Sequence, residues 1–256
     1  MNHNSLLVTV PGPGVHLRVS DAGFPADMVY VAQNVADTCR KLGIIPSVHR
    51  IVGGMNVPNP DAMYDYFLNA FGGLNGALIM SGATRCLTES GFTPSVAEVV
   101  PFVKKFLPNS VTAGSFPRTE GMTLSGHGTL FVGSEHTVIP NPETEHVVII
   151  QKDGNDDSLH DQWNADLQFY LDYMQLLRDE MGFVPVLTVW EGGGVSVKEA
   201  TQGNDRGFRV CVAEGSGRAC NNQLSPANFN GKNIHHVPYK NGTLQRTLMQ
   251  AWKISK

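Results

Sequence analysis

The side chains best placed for chemistry in this chain sit beside glycines. The fullest stretch is Glu191-Gly-Gly-Gly-Val-Ser-Val-Lys-Glu199, which follows the apolar run 184–190. Gly192, Gly193 and Gly194 let the backbone turn sharply and come close to a ligand. A helix opening through Val195 and Ser196 would present free N–H groups, which make an anion site. Ser196 adds a hydroxyl, and Glu199, one turn in, adds a carboxylate. That set suits a phosphate with a sugar attached. The plain alternative is a tight strand-to-helix turn with no ligand.

Two further stretches carry similar chemistry. Ser81, Gly82, Thr84 and Arg85 make an opposing turn, in which Thr84 offers a hydroxyl and Arg85 a planar fork for phosphate. Arg85 is otherwise a surface residue of a first helical turn. Glu214, Gly215, Ser216, Gly217 and Arg218 make another turn, suited to a second phosphate or a ribose. Arg218 otherwise caps or salt-bridges locally. Arg118 follows a short strand, at the edge where a phosphate contact would lie. Glu199 has two functional readings: it accepts ribose hydroxyls in a binder, or in a hydrolase it stabilises an oxocarbenium-like transition state or activates water. Its plain reading is an acid favoured by the helix dipole.

The elements that position these residues follow from apolar periodicity. Leu6–Val10, 49–54, 77–82, 110–114, 147–150, 184–190 and 208–213 read as buried strands, and Thr129–Val132 as a further one. Helices are expected over 21–42, 61–71, 93–106, 158–181 and 243–253. The longest carries Leu159, Trp163, Leu167, Leu171, Met174, Leu177 and Met181 at steps of three or four. Thr93 would cap its helix, Pro101 would kink it, and His235-His236 reads as a loop pair. Alternating helices and apolar strands specify an α/β fold with a mainly parallel sheet covered on both faces. Four strands end in glycine turns: Gly53-Gly54, Ser81-Gly82, Gly192–Gly194 and Gly215–Gly217. In a doubly wound sheet those ends share one edge, where ligands bind.

Composition narrows the function. The chain has 256 residues, 41% hydrophobic and 16% charged, with a net charge of −4, which argues against general nucleic-acid binding. Cys39, Cys86, Cys211 and Cys220 are scattered and form neither a zinc pattern nor a disulfide framework. The nine histidines have no metal spacing. No stretch approaches the roughly 20 apolar residues of a membrane span. The expectation is a cytoplasmic protein with no membrane partner, no metal and no required cofactor. No P-loop or G-x-S-x-G elbow occurs. An apolar face formed by Leu244, Leu248 and Trp252 either docks on its own domain or makes a homo-oligomer contact.

Three segments, in order, resemble one superfamily: Leu78-Ile-Met-Ser-Gly-Ala-Thr-Arg85, Val186–Val195 continuing to Glu199, and Val210-Cys-Val-Ala-Glu-Gly-Ser-Gly-Arg-Ala219. They are similar to the glycine turns of the SLOG Rossmann-like superfamily. The LSDAT type, found in the N-terminal region of melastatin-type TRP channels and in bacterial proteins, is the branch most resembled. The resemblance spans residues 75–224 and implies a single Rossmann-like, doubly wound domain over 1–256. It also implies a nucleotide ligand related to ADP-ribose or NAD, held by a sensor or sequestering protein. Its lonely-guy branch cleaves nucleoside 5′-monophosphates with P-G-G-x-G-T-x-x-E and R-K-x-x-M. Here Gly192, Gly193 and Glu199 match, whereas Glu191, Val195 and Ser196 stand for Pro, Gly and Thr; Arg118 and Met122 match, with Thr119 in place of Lys. The second expectation is therefore an N-glycoside hydrolase with Glu199 and Arg118 as its chemical pair. The third is an assembly module with a vestigial pocket.

Overall fold

The apolar runs pair into one large sheet. The computed structural model describes residues 6–8, 26–82, 84–88, 91–117, 123–125, 128–132, 137–140, 145–150 and 159–239. Its strands are β1 (Leu6–Val8), β2 (Ser47–Gly53), β3 (Leu78–Gly82), β4 (Thr84–Thr88), β5 (Gly91–Thr93), β6 (Val111–Pro117), β7 (Thr123–Ser125), β8 (Gly128–Val132), β9 (Thr137–Pro140), β10 (His146–Ile150), β11 (Val184–Trp190), β12 (Arg209–Glu214) and β13 (Ile234–Pro238). Its helices are α1 (Ala26–Lys41), α2 (Pro60–Phe71), α3 (Val99–Phe106), α4 (Leu159–Met181), α5 (Gly194–Asp205) and α6 (Arg218–Asn221).

The large sheet runs β1-β10-β6-β3-β2-β11-β12-β13. Every pairing in it is parallel except that of β1, which lies antiparallel on β10. The chain winds outward from β2 through β3, β6 and β10. It then returns to the other side of β2 with β11 and winds outward again, the doubly wound order of a Rossmann-like fold. Both faces are covered. Val48, Val52, Leu187 and Val189 pack with α1, α4 and α5 on one side. Ile51, Ile79, Val186 and Trp190 pack with α2 and α3 on the other. Burial on both faces is why these strands read as continuous apolar runs.

A second, five-stranded antiparallel sheet, β5-β4-β9-β8-β7, was legible in the sequence only at β8, which covers the expected strand Thr129–Val132. Its strands come from the chain that follows β3 and β6, so it grows from the carboxyl ends of the parallel strands. Two local expectations change with it. Thr93 ends β5 instead of capping a helix. A 3₁₀ turn over Val96–Glu98 leads into α3, which starts at Val99, so Pro101 lies near the helix start and not in the middle of a helix from Thr93. His235 and His236 lie in β13, not in a loop. The expected helix over 243–253 lies outside the described residues. Among the described residues no helix is long and apolar enough to cross a membrane.

One buried titratable group sets an acid limit on this fold. His49 is buried in β2, its Nε2 2.8 Å from Ser47 Oγ and its ring edge-on to Phe71. Burial pushes its pKa down to about 3 from 6.5. The unfolded chain therefore takes up a proton that the folded chain refuses, and stability falls as pH drops from 6.5 toward 3. Between pH 6.5 and 5, where carboxylates stay largely ionised, urea denaturation should show a loss of about 1 kcal/mol per pH unit. An equal slope in His49→Leu would remove this residue as the cause.

Candidate functional site

The four glycine turns meet. They end β3, β2, β11 and β12, four consecutive strands in the sheet order, all parallel. Between β2 and β11 the winding reverses, and the loops leaving these two strands diverge to opposite faces. That makes the β2–β11 boundary the topological switch point, the place at the carboxyl edge where doubly wound folds bind ligands.

On its β11 side lies the start of α5. Gly192 has φ +77, and a Cβ there would fall 2.6 Å from Ser196 Cβ, so the turn itself demands glycine. Gly193 is different. It has φ −130, and a Cβ on it, or on Gly194, would meet nothing within 4 Å. Neither the backbone nor a packed neighbour requires glycine at 193. Gly193 caps α5 without any side-chain hydrogen bond, and the first turn holds no acid. The leading N–H groups of α5 receive no side-chain cap, and the positive end of the helix dipole lies behind them. Val195 is exposed beside them, while Ser196 is buried.

Between the turns lies a strained knot. Among the described residues three non-glycine positions have positive φ: Asn56 at +58, Glu191 at +55 and Arg218 at +40. All three are tied to one another. Arg218 donates from Nη1 to the Met55 carbonyl and from Nη2 to the Asn56 carbonyl, both at 3.1 Å, and its Nε stands 3.5 Å from Glu191 Oε2. The Glu191 N–H donates to Ser216 Oγ at 2.9 Å, and the Glu191 carbonyl accepts from the Cys220 N–H at 3.1 Å. Each such backbone costs about 1–3 kcal/mol, and such strain gathers where function needs a fixed shape. The Glu191 side chain is 4% exposed, and Arg218 is 45% exposed. Burial raises the Glu191 pKa, opposed by the Arg218 charge and the Trp190 indole.

Glu199 occupies a second, dry layer beneath. It is 2% exposed. Arg50 of β2 donates to it from Nε at 2.6 Å and from Nη2 at 3.3 Å. The Arg50 guanidinium lies 3.5 Å from the centre of the Tyr170 ring of α4. Tyr170 in turn donates its hydroxyl to the Ser81 carbonyl at the end of β3. A buried brace thus runs from the second turn of α5, through β2 and α4, to β3. Glu199 is not a free carboxylate at the helix start; both of its oxygens are engaged by Arg50. Neither Arg50 nor Tyr170 was singled out from sequence. A charged residue in an apolar strand was the one available signal, because Arg50 breaks the run that Val48 and Val52 continue.

The remaining expected residues divide. Ser81 is buried, its hydroxyl 3.5 Å from the Val96 carbonyl. The backbone of Ser81 to Arg85 is not a strand-to-helix turn: β3 ends at Gly82 and β4 begins at Thr84, paired with β9 through Thr84–Pro140 and Arg85–Ile139. Arg85 therefore does not start a helix. Glu214 ends β12, and its carbonyl accepts from the Tyr239 N–H at 3.2 Å. Gly215 and Gly217 have φ +86 and +128, and the Ser216 hydroxyl oxygen accepts from the Glu191 N–H. Arg118 lies outside the described residues. Among those described, no group of three or more His, Cys, Asp and Glu is placed to hold a metal ion. No family model matches the chain, and no curated protein matches it.

Proposed function

We propose that the protein binds a nucleotide of the NAD or ADP-ribose kind and acts as a sensor or a sequestering protein. One observation carries the reading. An uncapped helix start with vacant space above Gly193 and Gly194 lies at the switch point, where the three left-handed non-glycine residues converge. A phosphate takes the α5 N–H groups there; the first turn itself holds no acid, and the Arg218 guanidinium stands 3.5 Å from the nearby Glu191 carboxylate. The exposed apolar side chains of Met55, after β2, and Val195, in the first turn of α5, suit a ligand with a flat apolar part. In this reading Glu199 works from behind, holding α5 to β2 through Arg50, and no cofactor is needed. The resemblance to the SLOG superfamily points to the same ligand class.

The test is one incubation with NAD, ADP-ribose, cyclic ADP-ribose, AMP and other 5′-monophosphates, followed by thermal shift and chromatography. A rise in melting temperature with every compound recovered intact is the expected result, since a ligand that binds only the folded state stabilises it. Free base accumulating with time would instead establish the N-glycoside hydrolase. No shift with any compound would leave the assembly module.

A further inference from the structure

Glu191 has more acceptor capacity than the protein uses. Its Oε2 is buried and accepts no hydrogen bond, and the cation beside it, Arg218 Nε, stands off at 3.5 Å. The other two nitrogens of that guanidinium serve the carbonyls of Met55 and Asn56. On one side the carboxylate faces Gly217. A Cβ at position 217 would lie 3.6 to 3.9 Å from Glu191 Cγ, Cδ and Oε1, so glycine there leaves a contact unfilled. The half-exposed Arg218 and the Trp190 indole lie against it as well. In the residue that bridges to Met55, Ser95 Oγ is likewise buried without a hydrogen-bond partner. Buried acceptors are nearly always supplied with donors, and two at this switch point are not.

We infer that the Glu191 carboxylate is the sugar-recognising group of the site, accepting hydroxyls of a ribose joined to the phosphate at the start of α5. The inference rests on the nucleotide reading above and moves the sugar contact from Glu199 to Glu191. Donor chemistry decides the partner: an anion is repelled by this carboxylate, and a carbonyl or ring-nitrogen acceptor gains nothing from it. Covalent distance decides which donor. Glu191 stands two residues before the helix cap, so the group it meets is bonded close to the phosphate, which is the sugar and not the base. Glu199 cannot fill the role without giving up Arg50. The site therefore prefers ribonucleotides to deoxyribonucleotides, because the deoxy analogue leaves the buried acceptor unpaired.

Calorimetry with AMP and 2′-deoxy-AMP tests this. The wild-type protein should bind AMP roughly tenfold or more tighter, the effect of one hydrogen bond to a charged group. Glu191→Gln, and Glu191→Asp with its shorter reach, should each narrow that gap to about twofold, with the weaker 2′-deoxy-AMP affinity little changed. Equal binding of both compounds by the wild type would overturn the sugar assignment and leave the nucleotide reading standing. A full gap retained in both variants would do the same. Binding of neither compound would overturn the two together. If the variants fail to fold, the wild-type comparison still decides.

Discussion

Glu199→Ala should lower the unfolding free energy by about 3–5 kcal/mol, the cost of removing one member of a buried ion pair. The remaining member is Arg50, 7% exposed and stacked on Tyr170. With Glu199 gone, its guanidinium keeps the ring contact and loses both carboxylate oxygens. For a chain of this length the change corresponds to a drop in melting temperature on the order of 10 °C. Chemical denaturation of the variant measures it directly. Replacing both partners, as in Arg50→Met with Glu199→Leu, should recover most of the loss, because a buried pair is worth little against apolar side chains of similar volume. A single variant within about 1 kcal/mol of wild type would mean that the brace does not carry the α5–β2 contact. The same result would free Glu199 for the ligand and revive its role as the chemical carboxylate.

Gly193→Val should weaken nucleotide binding by about 100-fold, equivalent to losing two charge-assisted hydrogen bonds from the α5 amides. Stability should move by less than about 0.5 kcal/mol. The two expectations separate because of local geometry. The φ of −130 at this position is one that valine adopts readily, and its Cβ meets nothing within 4 Å. The isopropyl group then projects into the space that a phosphate would fill. Calorimetry with ADP-ribose, paired with a urea unfolding curve, reads both quantities. Undiminished affinity would place the phosphate on another turn. By contrast, Gly192 cannot serve as a clean probe, since Ser196 crowds its Cβ position and its φ is +77.

The parallel sheet was legible because its strands are buried on both faces. Val184–Trp190 and the end of α4 at Met181 coincide with the apolar run and the stripe that the sequence displays. Four glycine turns could likewise be placed on one edge, because alternation of strand and helix forces parallel pairing. The small antiparallel sheet was hidden for a physical reason. Except for β8, matched by the apolar run Thr129–Val132, its strands are too short for a period of two to register. Strand β13 was obscured by His235 and His236 in the middle of a five-residue strand. At the site, glycine positions were visible, but partners were not. Arg50 and Glu199 are 149 residues apart, and no spacing rule links a strand arginine to a helix glutamate at that range. The sequence likewise left open whether Arg218 contacts a ligand or salt-bridges locally. Its hydrogen bonds to Met55 and Asn56 give it a structural task at the same switch point.

The central claim is that a phosphate-bearing ligand docks on the open start of α5. Backbone amide shifts of isotope-labelled protein, followed while ADP-ribose is added, test it most directly. The largest changes should fall on Gly193, Gly194 and Val195, with smaller ones on Glu191 and on Gly215 to Arg218 across the turn. Shifts confined to the amino-terminal edge of the sheet, or none at saturating ligand, would contradict it.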